Sequence, residues 1–388
     1  MRYDMKINKL IWVRLITFSF FLTTACYACS DDSDTPLDTP TEEPGNGMDD
    51  IDTSGVTLKE AIGDKFLFGA AINPWQLDIN SSKEENRREG EVVLKHFNAL
   101  VAESVMKWRS IHPDKEKYTF EDADAIVKFA EENGMTVIGH TLVWHTALPD
   151  WVWKDVSTGK DLSAEQLKEN MRSHINTVVS RYKGRIKGWD VVNEAFNDDG
   201  TYRESPFYRI LGKEYIPLAY QYAHEADPDA ELYYNDFELY HSTKCRAVLQ
   251  LIGELKAKGL PITAIGMQGH MWMNNPTVEM YENTILAFKS AGVKVMVTEW
   301  DMSVANGQNI YPNGLPKDVE AKWTQRMIDF FKLFLKYKDV VTRVSTWGVS
   351  DSHSWLNEKC TDYPLLFDRQ QQPKPVVEMM IRAALADK

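Results

Sequence analysis

Residues 187–196 read KGWDVVNEAF, a short apolar run over 187–192 that ends on the polar pair Asn193-Glu194. Such a run suits a buried strand better than a helix, and it carries its polar chemistry at its C-terminal end. Working outward from it, similar runs recur at 66–70 (FLFGA), 104–108 (SVMKW), 136–139 (TVIG), 231–235 (ELYYN), 262–266 (ITAIG), 293–298 (VKVMVT) and 343–348 (RVSTWG). Longer amphipathic stretches separate them. In 163–184, Leu167, Met171, Ile175, Val178 and Tyr182 repeat at three- and four-residue spacing, Ser163 with Gln166 forms a capping box, and Gly184 marks the end. A second helical stretch is expected over 318–336. Eight alternations of strand and helix predict an α/β fold whose parallel sheet closes into a (β/α)8 TIM barrel, a single catalytic domain over 58–388. The first strand–helix turn has no glycine-rich phosphate loop, and no repeat points to a solenoid or propeller.

In such a barrel the reactive groups collect at the C-terminal ends of the strands. His140 follows the third candidate strand, Asn193-Glu194 the fourth, Asn235-Asp236 the fifth, Gln268 and His270 the sixth and Glu299 the seventh, while Trp347 ends the eighth. Glu194 and Glu299 stand at strands nearly opposite one another, so that two carboxylates flank one cleft. Such a pair is the minimum equipment for cleaving a glycosidic bond, one group acting on the leaving oxygen and the other on the anomeric carbon. Asp190, Asp236 and Asp301 compete for these roles; Asp190, inside its strand, reads as a buried hydrogen-bonded support. His140 and His145 lack a zinc-binding spacing, and no Gly-x-Ser-x-Gly elbow appears. No metal and no cofactor is expected.

Ahead of the barrel the chain changes character. Arg2, Lys6, Lys9 and Arg14 precede an apolar run over 15–25 that has the length of an export signal and is too short to span a membrane comfortably. Residues 1–29 are read as a lipoprotein signal peptide with Cys29, or alternatively Cys26, as the lipidated residue. Residues 30–57 hold nine acids, no Lys or Arg, and Pro36, Pro40 and Pro44, which describes a disordered acidic tether. The tether accounts for most of the formal net charge of −13, a balance that disfavours a nucleic-acid partner. The protein is expected to be exported and held by a lipid anchor at the outer membrane, on the cell surface or the periplasmic face. Cys245 and Cys360 are too far apart in sequence for their pairing to be judged.

From residue 58 onward the chain resembles glycoside hydrolase family 10, the retaining endo-β-1,4-xylanases. The likeness is carried by MKW at 106–108, GHTLVWH at 139–145, WDVVNEAF at 189–196, YYND at 233–236, GMQGH at 266–270, VTEWD at 297–301 and TWGVSDSHSW at 346–355. The resemblance implies Glu194 as acid/base and Glu299 as nucleophile, with Asn193 on the sugar 2-hydroxyl and His270 holding the nucleophile. It places Glu103, Lys107, His140 and Trp144 along the glycone side and Gln268, Trp347 and Trp355 around the bound sugars. Xylan or xylo-oligosaccharide is the implied substrate, and a monomer the implied state. The chain departs from the family pattern at Ser104 and Ala147 on the glycone side and at Trp300, which is expected to alter only barrel packing. A β-1,4-glucanase or cellobiohydrolase-like activity, and a surface glycan-binding protein without hydrolysis, are the competing readings.

Overall fold

The computed structural model describes residues 51–387. The expected signal peptide, the lipidated Cys29 or Cys26 and most of the acidic tether lie outside the described residues. Nine strands are present among the described residues: β1 (Leu67–Ile72), β2 (Ala99–Ala102), β3 (Thr136–Trp144), β4 (Gly188–Asn193), β5 (Glu231–Asp236), β6 (Ala264–Met267), β7 (His270–Trp272), β8 (Lys294–Ser303) and β9 (Val341–Thr346). All pair in parallel. The order β1-β2-β3-β4-β5-β6-β8-β9 returns to β1, so eight strands close a (β/α)8 barrel. The short β7 lies outside that ring, on the far end of β8, where His270 pairs with Asp301.

One long helix follows each barrel strand: Glu84–His96, Glu121–Glu132, Ala164–Arg181, Tyr215–Ala226, Ser242–Ala257, Val278–Ser290, Lys317–Lys336 and Pro375–Ala386. Local sequence explains their limits. Ser163 caps Ala164–Arg181 by accepting from Gln166 N–H at 3.3 Å while the Gln166 side chain accepts from Ser163 N–H at 3.0 Å. In Lys317–Lys336 one face buries Trp323, Met327, Phe330, Phe331 and Phe334 against the barrel. Each such side chain contributes about 1.5–3 kcal/mol when fully buried, and that packing holds the outer ring in place. Trp300 belongs to this layer: it is fully buried, edge-on to Phe334 with ring centroids 5.3 Å apart.

The second strand is not where the sequence pattern puts it. Residues 104–108 form a turn leading into a short helix, Trp108–Ile111, and the strand is Ala99–Ala102. ALVA has a single β-branched residue, Val101, and no aromatic one, but all four of its residues are buried between β1 and β3. Placement between two neighbours overrides its weak intrinsic preference. The shift puts Glu103 at the end of β2. β3 and β8 also run further than expected, so His140, Trp144, Glu299 and Asp301 lie within strands rather than after them.

Ala71, Val101, Ile138, Tyr233, Ala264, Met296 and Trp347 form a core cluster separate from the strand–helix layer. They come from seven of the barrel strands or their ends and fill the barrel, so there is no pore and a ligand is confined to an end. Near the C-terminal end, register shifts interrupt three ladders: β3/β4 between His140 and Val143, β4/β5 between Asp190 and Val192, and β8/β9 between Val297 and Trp300. Such irregularities re-aim side chains, and all three fall where the polar residues gather.

Candidate active site

A cleft of about 570 Å³ opens over the C-terminal end of the barrel. The residues to which the family resemblance gives catalytic or sugar-binding roles all line it: Glu103, Lys107, His140, Trp144, Asn193, Glu194, Gln268, His270, Glu299, Trp347 and Trp355; Asp190, Asn235 and Asp236 do not. A second cavity of about 540 Å³ at the opposite end, beside Lys65, Lys187 and Arg343, contains neither Glu194 nor Glu299.

Glu194 stands one residue past β4 with φ of 57°, the left-handed region that a glutamate enters at a cost of about 1–2 kcal/mol. Its N–H donates to Asn235 O at 2.9 Å, and its carbonyl accepts from Arg203 Nε at 3.2 Å. The side chain is held by uncharged donors. Trp144 Nε1 donates to Oε2 at 2.9 Å; Gln268 Nε2 and Asn193 Nδ2 donate to Oε1 at 2.9 and 3.2 Å.

Glu299 is held differently. The register shift in β8 turns both Thr298 and Glu299 toward Asn235, which accepts from Thr298 Oγ1 at 2.6 Å and donates to Glu299 Oε1 at 2.7 Å. On the other oxygen, His270 Nε2 lies 3.1 Å from Oε2, and His270 Nδ1 lies 3.0 Å from Asp301 Oδ2. Burial alone would lower the His270 imidazole, but the charge and hydrogen bond of Asp301, with those of Glu299, push it up to about 10. Burial alone would raise the Glu299 carboxyl; the hydrogen bond and charge of His270, helped by His140 and Asn235, hold it below its ordinary value. The same Asn235 amide donates to Asn193 Oδ1 at 2.9 Å, so the supports of the two glutamates share one hydrogen-bond network.

Around the pair, Lys107 Nζ sits 5.0 Å from the centre of the Trp144 ring and 5.7 Å from that of Trp347. Burial lowers the Lys107 ammonium against the pull of Glu299, Glu103 and Glu194. Burial raises the Glu103 carboxyl, opposed by the hydrogen bond from Asn73, whose Nδ2 donates at 2.6 Å. Trp347 is only 8% exposed and closes the barrel interior beneath the cleft, edge-on to His140 at 5.4 Å. Trp355, 43% exposed, presents a ring at the rim and donates from Nε1 to Asp301 Oδ2 at 2.8 Å. His140 Nδ1 is 2.9 Å from Asp190 Oδ2, and Asp190 is buried.

Sequence reasoning placed Asn235 near the site without a role and Asp301 there only as a competitor for the catalytic pair; the signal was their position at strands already marked by a neighbouring polar residue. It missed Phe237, Glu238 and Trp272, which also line the cleft from the β5 and β7 ends. Nothing in their local sequence distinguishes them from ordinary loop residues. Cys245 and Cys360 are both free and buried. Among the described residues no cluster of His, Cys, Asp or Glu has the makings of a metal site, and no helix is long and apolar enough to cross a membrane.

Two carboxylates in one sugar-sized cleft at the mouth of a filled (β/α)8 barrel, one held by a charged imidazole and the other by neutral donors, define a glycoside hydrolase. The chain belongs to glycosyl hydrolase family 10, whose family model matches residues 57–383. It is 44% identical over 348 residues to endo-1,4-beta-xylanase A of Xylanibacter ruminicola, covering 84% of this chain and 93% of that protein. It is 43% identical over 326 residues to a beta-1,4-xylanase of Dictyoglomus thermophilum, covering 82% of this chain and 88% of that one. Among solved structures it is similar to a family 10 endoxylanase retrieved from sugarcane soil metagenome, with a TM-score of 0.79 and 38% identity, covering 86% of this chain and 99% of that chain.

Proposed function

We propose that the protein is a retaining endo-1,4-β-xylanase in which Glu299 is the nucleophile and Glu194 the acid/base. The observation that carries the assignment is the asymmetry of support: His270 holds Glu299 as a carboxylate, whereas the Glu194 carboxyl touches only uncharged donors. Glu299 attacks the anomeric carbon of a xylosyl unit, Glu194 gives its proton to the glycosidic oxygen, and the C–O bond breaks to release the first product. Glu194, now ionised, takes a proton from water; the water oxygen attacks the same carbon, and Glu299 leaves with its charge restored. Two inversions give net retention. Asn193 is suited to the 2-hydroxyl of the sugar in the reacting position, and Trp347 and Trp355 provide apolar ring surface for pyranose faces.

Release of reducing sugar from linear xylan, with barley β-glucan and carboxymethylcellulose giving little, tests the substrate; the reverse order of rates refutes it. Proton NMR of early products must show the β-anomer first, and Glu299→Ala must abolish turnover while leaving the melting curve in place.

The same reading extends to the cell. The apolar run over 15–25 followed by Cys26 and Cys29 supports a lipid anchor at the outer membrane, on the cell surface or the periplasmic face, with the acid-rich segment after it as the tether, and the family resemblance supports a monomer. Metabolic labelling with a fatty acid that persists in Cys26→Ala and is lost in Cys29→Ala supports Cys29. The opposite pattern transfers the anchor to Cys26, and labelling of neither form refutes the anchor. Light scattering of the soluble form tests the monomer.

A further inference from the structure

Beneath the Glu194 turn lies a buried polar chain that contacts neither glutamate side chain. Ala195 N–H donates to Tyr234 Oη at 3.0 Å, and that hydroxyl donates to Asp236 Oδ2 at 2.5 Å. Asp236 Oδ1 accepts from Phe237 N–H at 2.9 Å and lies 2.9 Å from Lys244 Nζ. The ammonium also reaches Asp198 Oδ1 at 3.4 Å and sits 3.6 Å from the centre of the Phe237 ring. Tyr234, Asp236 and Lys244 are all fully buried.

A charged pair in that position is expensive to desolvate, and a hydrophobic set of similar size is commonly as stable. What it does locally is specific. A left-handed glutamate persists only where its flanking peptide groups are over-determined. The Glu194 N–H is tied to β5 and its carbonyl to Arg203, and the next N–H, that of Ala195, is tied to Tyr234. A hydroxyl that itself donates to a carboxylate is a stronger acceptor, so the ion pair below tightens the grip on the Ala195 amide.

We propose that Tyr234, Asp236 and Lys244 are positioning residues for proton transfer, a buried brace that fixes the peptide after Glu194 and so aims its carboxyl at the glycosidic oxygen. The inference rests on Glu194 being the acid/base. Burial pushes the Asp236 carboxyl up to about 6 against the pull of Lys244, with the charge of Glu194 adding to the rise and the hydrogen bond from Tyr234 opposing it.

Tyr234→Phe removes the hydroxyl and leaves the Ala195 N–H unpaired. On linear xylan, kcat should fall about 10- to 100-fold, with KM within about threefold of the parent, since general acid catalysis contributes about 10²–10⁴-fold. On a dinitrophenyl β-xylobioside, whose leaving group needs no proton, kcat/KM should stay within about threefold, and azide should raise kcat by forming the xylobiosyl azide. Asp236→Asn, which keeps the shape and removes the charge, carries the same expectation and decides the question if Tyr234→Phe does not fold. Equal losses on both substrates without an azide effect, or parental activity on xylan, overturn the brace. Glu194→Ala is the reference: if it shows neither leaving-group dependence nor azide rescue, it is the acid/base assignment that fails.

Discussion

Replacing His270 with Gln should move the acidic limb of activity upward. In the parent, the imidazole lies 3.1 Å from Glu299 Oε2, a separation at which two unit charges attract by about 5 kcal/mol at an effective dielectric of about 20. Much of that offsets the loss of hydration, and a hydrogen bond to a charged group contributes about 1.5–3 kcal/mol net. At about 1.36 kcal/mol per pH unit, losing it raises the Glu299 carboxyl and should carry the acidic limb of kcat/KM up by about 1–2 pH units. Glu299 is 5% exposed, so solvent does little to screen the change. The sign follows from which form is active. With Glu299 as the proposed nucleophile, it is the carboxylate that attacks, so a raised value removes activity at low pH and leaves it at higher pH. The assay is kcat/KM against pH, between about pH 3 and 9, on a dinitrophenyl β-xylobioside, where the proton on Glu194 is not needed and the acidic limb reports Glu299 alone. An acidic limb that stays in place or moves down would falsify the claim that His270 keeps the nucleophile ionised.

Other perturbations test neighbouring contacts. Trp355→Phe removes one of the two donors on Asp301 Oδ2; KM for xylo-oligosaccharides should rise about threefold to tenfold while the acidic limb moves by less than half a unit or so, and a larger movement would show that Asp301 depends on the indole. At Gly266 a Cβ would lie 2.2 Å from Asn235 Oδ1 and 2.9 Å from Thr298 Cγ2, so Gly266→Ala should push Asn235 off Glu299 and lower kcat about tenfold or more, measured on linear xylan. Far from the chemistry, Lys374 Nζ lies 2.6 Å from Asp351 Oδ2 in a buried pair; Lys374→Met should cost about 3–5 kcal/mol, read as a fall in the denaturant midpoint, and a midpoint within experimental error of the parent removes the pair from the stability account. His270 titrates at about 10 in the fold against an ordinary 6.5, so its stabilising contribution is complete below about pH 6.5 and disappears as pH rises through about 10. The melting temperature of His270→Gln should therefore converge on that of the parent over this window, and parallel curves would contradict the shift.

The barrel was legible because its signal is local. Residues 293–298 or 163–184 announce strand or helix through the spacing of their own apolar side chains. Residues 99–102 do not, since Ala-Leu-Val-Ala becomes a strand only when β1 and β3 close over it, and the more strand-like SVMKW next door turns into a corner carrying Lys107. The candidate site was legible as a set of residue types at strand ends, and the motifs that carry the family resemblance are short and contiguous.

By itself the sequence determined the alternation, the order of the polar residues along the chain and the family to which they point. The tertiary structure decided the division of labour in the cleft. The Gln268 amide reaches Glu194 across 74 residues, and Asn235 reaches Glu299 across 64. Likewise, the register shifts that aim these groups arise from pairing between strands, not within one. Which glutamate is held charged depends on where an imidazole and an aspartate come to rest in a dry cleft, because electrostatic interactions there fall off with distance in space and are indifferent to distance along the chain.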